Sequence, residues 1–130
     1  FVNVSHHPSD RWSPEQRSQA LQLGTALVGE PFADIVDVPF PDVPAEGDLA
    51  DVEKLAAHVL GQLPQNTGAA MVMGEHTLTQ VLVQRLQALG IPCYAATSER
   101  LVQEVGSVKV SQFRFVRFRP YPANPGRDSG

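Results

Sequence analysis

AAMVMGEHTLTQVL, residues 69–82, decides the fold. Five apolar residues run from Ala69 to Met73, Gly74 interrupts them, and Leu78, Val81 and Leu82 then recur at helical spacing. Continuous rather than alternating hydrophobicity marks a strand covered on both faces, as in parallel sheets. The change of period from strand to helix marks one βα unit.

The same unit repeats on both sides. Upstream, FVNVS (1–5) is a short apolar strand, and Ser13, Pro14 and Gln16 begin a helix as N-cap, first helical residue and capping-box partner. Gly24 is expected to end that helix after about Leu23. ADIVDVPF (33–40) is the second strand, and a stripe of Leu49, Val52, Leu55, Ala56, Val59, Leu60 and Leu63 predicts a helix from about Asp48 to Pro64. Downstream, the third helix is expected from about Thr77 to Leu89, with Leu78, Val81, Leu82, Leu86 and Leu89 facing inward. IPCYAAT (91–97) returns as the fourth strand.

The order βαβαβαβ is that of a parallel sheet with crossover helices. After residue 98 the rhythm changes: LVQEV, the pair Gly106–Ser107 and VKVSQFRFVRF read as a hairpin with a type I′ or II′ turn. The expectation is an α/β protein. It comprises a single Rossmann-like, three-layer domain over residues 1–121, with a mostly parallel sheet, a C-terminal antiparallel hairpin, and a flexible Pro/Gly-rich tail over 122–130.

Bulk properties narrow the function. A chain of 130 residues fits one core. No apolar run approaches the roughly 20 residues of a membrane span, and the start lacks the features of a signal peptide. One cysteine, Cys93, excludes an internal disulfide and suits a cytoplasmic setting. A net charge of −4 disfavours a long nucleic acid as partner. Arg100, Lys109, Arg114, Arg117, Arg119 and Arg127 nevertheless crowd the last third, so a small anion stays open. No metal-ligand spacing, GxGxxG, P-loop or GxSxG motif occurs, so no metal and no cofactor is expected. QFRFVRF resembles an RNA-stacking strand, but the βα order is wrong for that module, and Phe113 and Phe115 read as one core-facing side.

Ligands of open α/β sheets bind beyond the carboxyl ends of the strands. Four polar segments fall there: Ser5-His6-His7-Pro8-Ser9-Asp10-Arg11-Trp12, Pro39-Phe40-Pro41-Asp42, Gly74-Glu75-His76-Thr77-Leu78-Thr79, and Thr97-Ser98-Glu99-Arg100. All four are expected to line one basin. Gly74 is either a plain turn or a place where backbone approaches a ligand. Thr77 with Gln80 reads as a capping box, and the amides of that helix start, with Thr79, offer an anion site. Glu75 with His76 offers an acid and a base side by side, although a carboxylate at a helix start is favoured by the dipole alone. His6 and His7 project in different directions, so one of them enters the basin. Arg11 and Arg100 are candidate phosphate contacts, and Trp12 is better read as packing than as stacking on a base.

The segments VNVSHHPSDRWSPEQ, DVPFPDV, VMGEHTLTQVLVQRLQALGIPC, ATSERLVQE and FRFVRFRPY resemble a group of small bacterial proteins labelled CRISPR-associated. The match covers the chain up to Tyr121, with His7-Pro8, Trp12-Ser13, Met73-Gly74-Glu75 and Thr77 in the shared motifs. The wider relatives are CRISPR-associated Rossmann-fold (CARF) sensors and ring nucleases. The resemblance implies a CARF-like homodimer that binds a cyclic oligoadenylate across its two-fold axis and cleaves it without metal in type III antiviral defence. By their position at the strand ends, not by the resemblance, His7 and Glu75 are the expected catalytic residues. Ser5, His6, Ser9, Arg11, Trp12, Gly74, His76, Thr77, Thr79, Thr97, Ser98 and Arg100 are the expected ligand contacts. The rivals are a non-catalytic sensor or sequestering module, a protein–protein adaptor using the final strand, and an enzyme acting on a free nucleotide or nucleoside.

Overall fold

The computed structural model describes residues 1–123; residues 124–130, most of the expected tail and Arg127 with them, lie outside the described residues. Five strands and three α-helices alternate as expected: β1 Val2–Ser5, α1 Pro14–Val28, β2 Val36–Pro39, α2 Leu49–Gly61, β3 Ala70–Val72, α3 His76–Ala88, β4 Cys93–Val105 and β5 Val108–Pro120. A short 3₁₀ turn, Ser9–Arg11, precedes α1. The strands form one mixed sheet in the order β2-β1-β3-β4-β5, parallel except for β5, which runs antiparallel to β4.

Two apolar clusters pack the two faces of this sheet. On one face Val52, Ala56 and Val59 of α2 and Leu78, Leu82 and Leu86 of α3 meet Val2, Val4, Val38, Val72 and Cys93. On the other, Trp12 and Ala20 meet Phe1, Met71, Tyr94, Phe115 and Phe118. Helices therefore cover both sides, which is why β3 reads as an unbroken apolar run. The strand order reverses between β1 and β3.

Several boundaries differ from the sequence reading. Helix α1 passes through Gly24 and ends at Gly29, which has φ +86°. Gly24 is there for close approach: a Cβ would lie 2.5 Å from the carbonyl oxygen of Glu30 and 2.6 Å from the nitrogen of Phe32, where the chain folds back on the helix. Leu49 and Leu89, expected inside, are 63% and 68% exposed, because each sits at the end of its helix rather than on the packed stripe. Gln87 is buried in their place and donates to the carbonyl of Pro122 at 2.9 Å.

The largest departure concerns β4. It does not stop at Thr97 but continues through Ser98–Arg100 into the hairpin, as one strand of 13 residues. The expected fourth turn is thus a β-bulge: Thr97 pairs with Arg117 and Ser98 with Phe115, leaving Val116 extra. The two strands join through Gly106–Ser107, where only Gly106 has positive φ, matching a type II′ turn. Phe113, expected in the core, is 75% exposed; it shares a face with Phe115 but lies beyond the part of the ribbon that the core covers.

Candidate functional site at the carboxyl edge of the sheet

The β1–α1 connection is built on a polar network within the sheet. Asn3, 2% exposed in the middle of β1, donates from Nδ2 to the carbonyl of His7 at 2.8 Å and to Oδ1 of Asp37 at 3.0 Å. Asp37 on β2 also accepts from the backbone N–H of Ser9 and from its hydroxyl. Ser5 donates to Oδ1 of Asn3 at 2.7 Å and accepts from the N–H of His7 at 3.1 Å. Ser5 and Ser9, expected as ligand contacts, are buried and engaged in holding this loop. Asn3 and Asp37 were missed by the sequence reading. An amide inside an apolar strand was the available signal, since a buried polar group requires partners.

That network fixes where the two histidines go. His6 packs on Phe40, ring centroids 5.3 Å apart, beside a small cavity of about 180 Å³ against β2. His7 lines a larger cavity of about 560 Å³ on the α1 side, with Arg11, Trp12, Ser13, Thr97, Ser98 and Phe113 among its walls. Trp12 is buried, edge-on to Phe1 at 6.2 Å and 6.0 Å from Phe118, so it packs as expected while also lining the cavity. Thr97 donates its hydroxyl to the carbonyl of Arg117 at 3.1 Å. Among the described residues no hydrogen bond or ion pair engages the guanidinium of Arg11. Arg100 lies out on the hairpin, its Nε and Nη2 donating to Ser111 at 3.1 and 2.9 Å, and does not line this cavity.

The third turn faces the other way. Gly74, His76 and Thr79 line a second cavity of about 540 Å³, closed by Gln80, Val83 and Tyr121 on the α3 side. The hydroxyl of Thr79 is buried there without a partner among the described residues. Tyr121 donates to the carbonyl of Val72 at 2.7 Å, and burial raises its phenol pKa. Met73 lines both cavities and stands between them, its sulfur accepting from the N–H of Ala96 at 3.2 Å. The expectation of one basin lined by four turns is therefore not met. The first turn and the bulge of β4 converge, whereas the third opens across the sheet and the second is plugged by Phe40.

Phe40 also explains Gly74. A Cβ there would lie 2.5 Å from three carbons of the Phe40 ring, so the glycine serves close packing between the second and third turns. Glu75 is the N-cap of α3. Its carboxylate accepts from the N–H groups of Thr77 and Leu78 at 2.9 and 2.8 Å and from the hydroxyl of Thr77 at 2.7 Å. These bonds, the Thr77 hydroxyl first, hold its pKa below the ordinary carboxylate range. The capping residue is Glu75, not Thr77, because a carboxylate reaches two amides at once. The helix start that was expected to receive a phosphate already holds an anion of its own. Neither large cavity is lined by both His7 and Glu75.

A family model described as Uncharacterized protein MJ1673 family matches residues 1–119. The chain belongs to that family. No curated protein matches this MJ1673-family chain, and no solved structure does. Among the described residues no helix is long and apolar enough to cross a membrane, and no group of three or more His, Cys, Asp or Glu side chains is placed to hold a metal ion.

Proposed function

We propose that this MJ1673-family chain binds a cyclic oligoadenylate at the α1-side cavity and cleaves it as a ring nuclease within a CRISPR-linked antiviral response. One observation carries the reading. An imidazole, a guanidinium without a partner among the described residues, three hydroxyls and an open phenyl ring converge on about 560 Å³ at the carboxyl edge of the sheet. A nucleotide presents the matching chemistry: a π-face for Phe113, a phosphate for Arg11, and ribose and phosphate oxygens for Ser13, Thr97 and Ser98. The order β2-β1-β3-β4-β5, doubly wound but for its reversed last strand, supports a Rossmann-like, CARF-like assignment.

In the proposed step the ribose 2′-oxygen attacks the adjacent phosphorus and the bond from phosphorus to the 5′-oxygen breaks. The 2′-hydroxyl proton leaves to a base, and the 5′-oxygen gains one. The products are a 2′,3′-cyclic phosphate and a 5′-hydroxyl. His7 is the proton-handling group of this cavity, and Arg11 faces the charge that builds on phosphorus. Glu75 drops out of the expected pair, because its carboxylate is held ionised by its own helix and lies on neither cavity wall.

That withdrawal favours a second reading. With His7 as the one acid–base side chain on the wall, the site also suits a sensor that binds the ring without cutting it. Incubation with cyclic tetra- and hexa-adenylate in EDTA, followed by chromatography, separates the two. Linear products lost in His7→Ala support the nuclease, tight calorimetric binding without products supports the sensor, and no binding at all rejects both.

A further inference from the structure

Among the described residues the outer hairpin has no packing partner within the chain. β3 pairs with β4 only at Cys93 and Tyr94, so beyond Ala96 the β3-side edge of β4 is open. Every residue from Arg100 to Arg114 is exposed, including Leu101, Val102, Val105, Val108 and Val110. A two-stranded ribbon of this kind is marginal alone in water, and an open apolar edge is a template for another strand.

The two edges differ in charge. β5 carries Lys109, Arg114, Arg117 and Arg119 and no carboxylate, so no register of β5 against a second β5 opposes unlike charges. Such cations blunt an edge. The outer half of β4, SERLVQEV, carries Glu99, Arg100 and Glu104 and is self-complementary in one register. With Val102 on a two-fold axis, Arg100 falls opposite the partner's Glu104, and Glu104 opposite the partner's Arg100. Leu101 then meets the partner's Gln103, and Glu99 the partner's Val105, with no like charges directly opposed.

We propose that two copies of this chain join edge to edge through residues 99–105 of β4, giving a continuous four-stranded antiparallel sheet centred on Val102. Directly opposed residues of an antiparallel pair share a face, so Ser98, Arg100 and Phe113 of both copies lie on one side of that sheet. Both α1-side cavities therefore open on the same side, related by the two-fold axis. The partner completes the site by extending its floor. A ring of even nucleotide number would match that symmetry, a match that rests on the proposed ligand whereas the interface does not.

The mass of the full-length chain in solution, read by light scattering across micromolar concentrations without nucleotide, tests the interface. A dimer is expected. Arg100→Glu and Glu104→Arg should each raise its dissociation constant at least about tenfold, because each opposes like charges twice. Val102→Lys should do the same. Glu104 also faces Lys109 across the hairpin, so the restoring variant is R100E/E104R/K109E, which should recover the dimer, with thermal melting reporting that each variant is folded. A monomer at every concentration overturns the proposal, as does a dimer indifferent to these changes or a restoring variant as weak as the singles. Because no ligand is present, none of these outcomes bears on what the cavity binds.

Discussion

Asp37 grips Ser9 from the neighbouring strand: its two carboxylate oxygens accept the Ser9 N–H at 3.1 and 3.2 Å, and Oδ2 accepts the Ser9 hydroxyl at 3.1 Å. Asn3 joins the same carboxylate at 3.0 Å. The loop bearing His6 and His7 is thus held by Asp37 from β2 together with Asn3 and Ser5 from β1. Asp37→Ala should destabilise the fold by roughly 1–3 kcal/mol, since it strands a buried amide and a buried hydroxyl. The denaturation midpoint measures this, and Asp37→Asn should fall between the two.

Gly74→Ala should cost about 1–3 kcal/mol, because the new methyl meets a Phe40 ring that is itself buried. Phe40→Leu in the same chain should recover part of the loss. Equal melting temperatures for Gly74→Ala and the parent would show that the ring moves aside freely.

The cap of α3 makes stability depend on acid. Glu75 has a lower pKa folded than unfolded, so its contribution is whole above the ordinary carboxylate range and is lost as pH falls through the lowered native value. Glu75→Gln should lower stability at neutral pH by roughly 0.5–1 kcal/mol, the usual scale of a weakened N-cap. The difference from the parent should shrink on acidification. A gap that stays constant down to the acid transition would contradict the assignment.

Burial pushes the Cys93 thiol up to about 12. The folded protein should therefore resist alkylation at pH 8, with one thiol appearing only on unfolding. Rapid native labelling, followed by mass spectrometry, would contradict its placement under α3.

Phe113 separates binding from folding. At 75% exposure its truncation to alanine should leave the melting temperature within about 1 °C while weakening the proposed oligoadenylate binding by roughly 5- to 100-fold, the worth of one stacked base. Unchanged affinity would remove the ring from the site.

The sheet was legible because its signals are local. The apolar run 69–73, the cap at Ser13, the helix start near Asp48 and the Gly106–Ser107 turn each act within a few residues, and each sits where the local pattern put it. Distant contacts were not legible. Gly24 reads as a helix stop until the returning chain at Glu30–Phe32 is seen pressing on it. Leu89 and Phe113 fit the spacing of buried faces, but each lies past the end of what covers it. At the site, the sequence placed His7, Arg11, Thr97 and Ser98 near strand ends, and these do meet. It could not divide one basin into two, because that depends on which side of Met73 each turn emerges.

Met73 is also the chemically softest point of this edge. Met71, two residues earlier, is 3% exposed, whereas Met73 is 36% exposed with its thioether against the N–H of Ala96. Peroxide should thus oxidise Met73 first. The sulfoxide oxygen, a stronger acceptor than sulfur, would sit between the two cavities, so an aged or aerated preparation would differ from a fresh one at this wall while keeping its core intact.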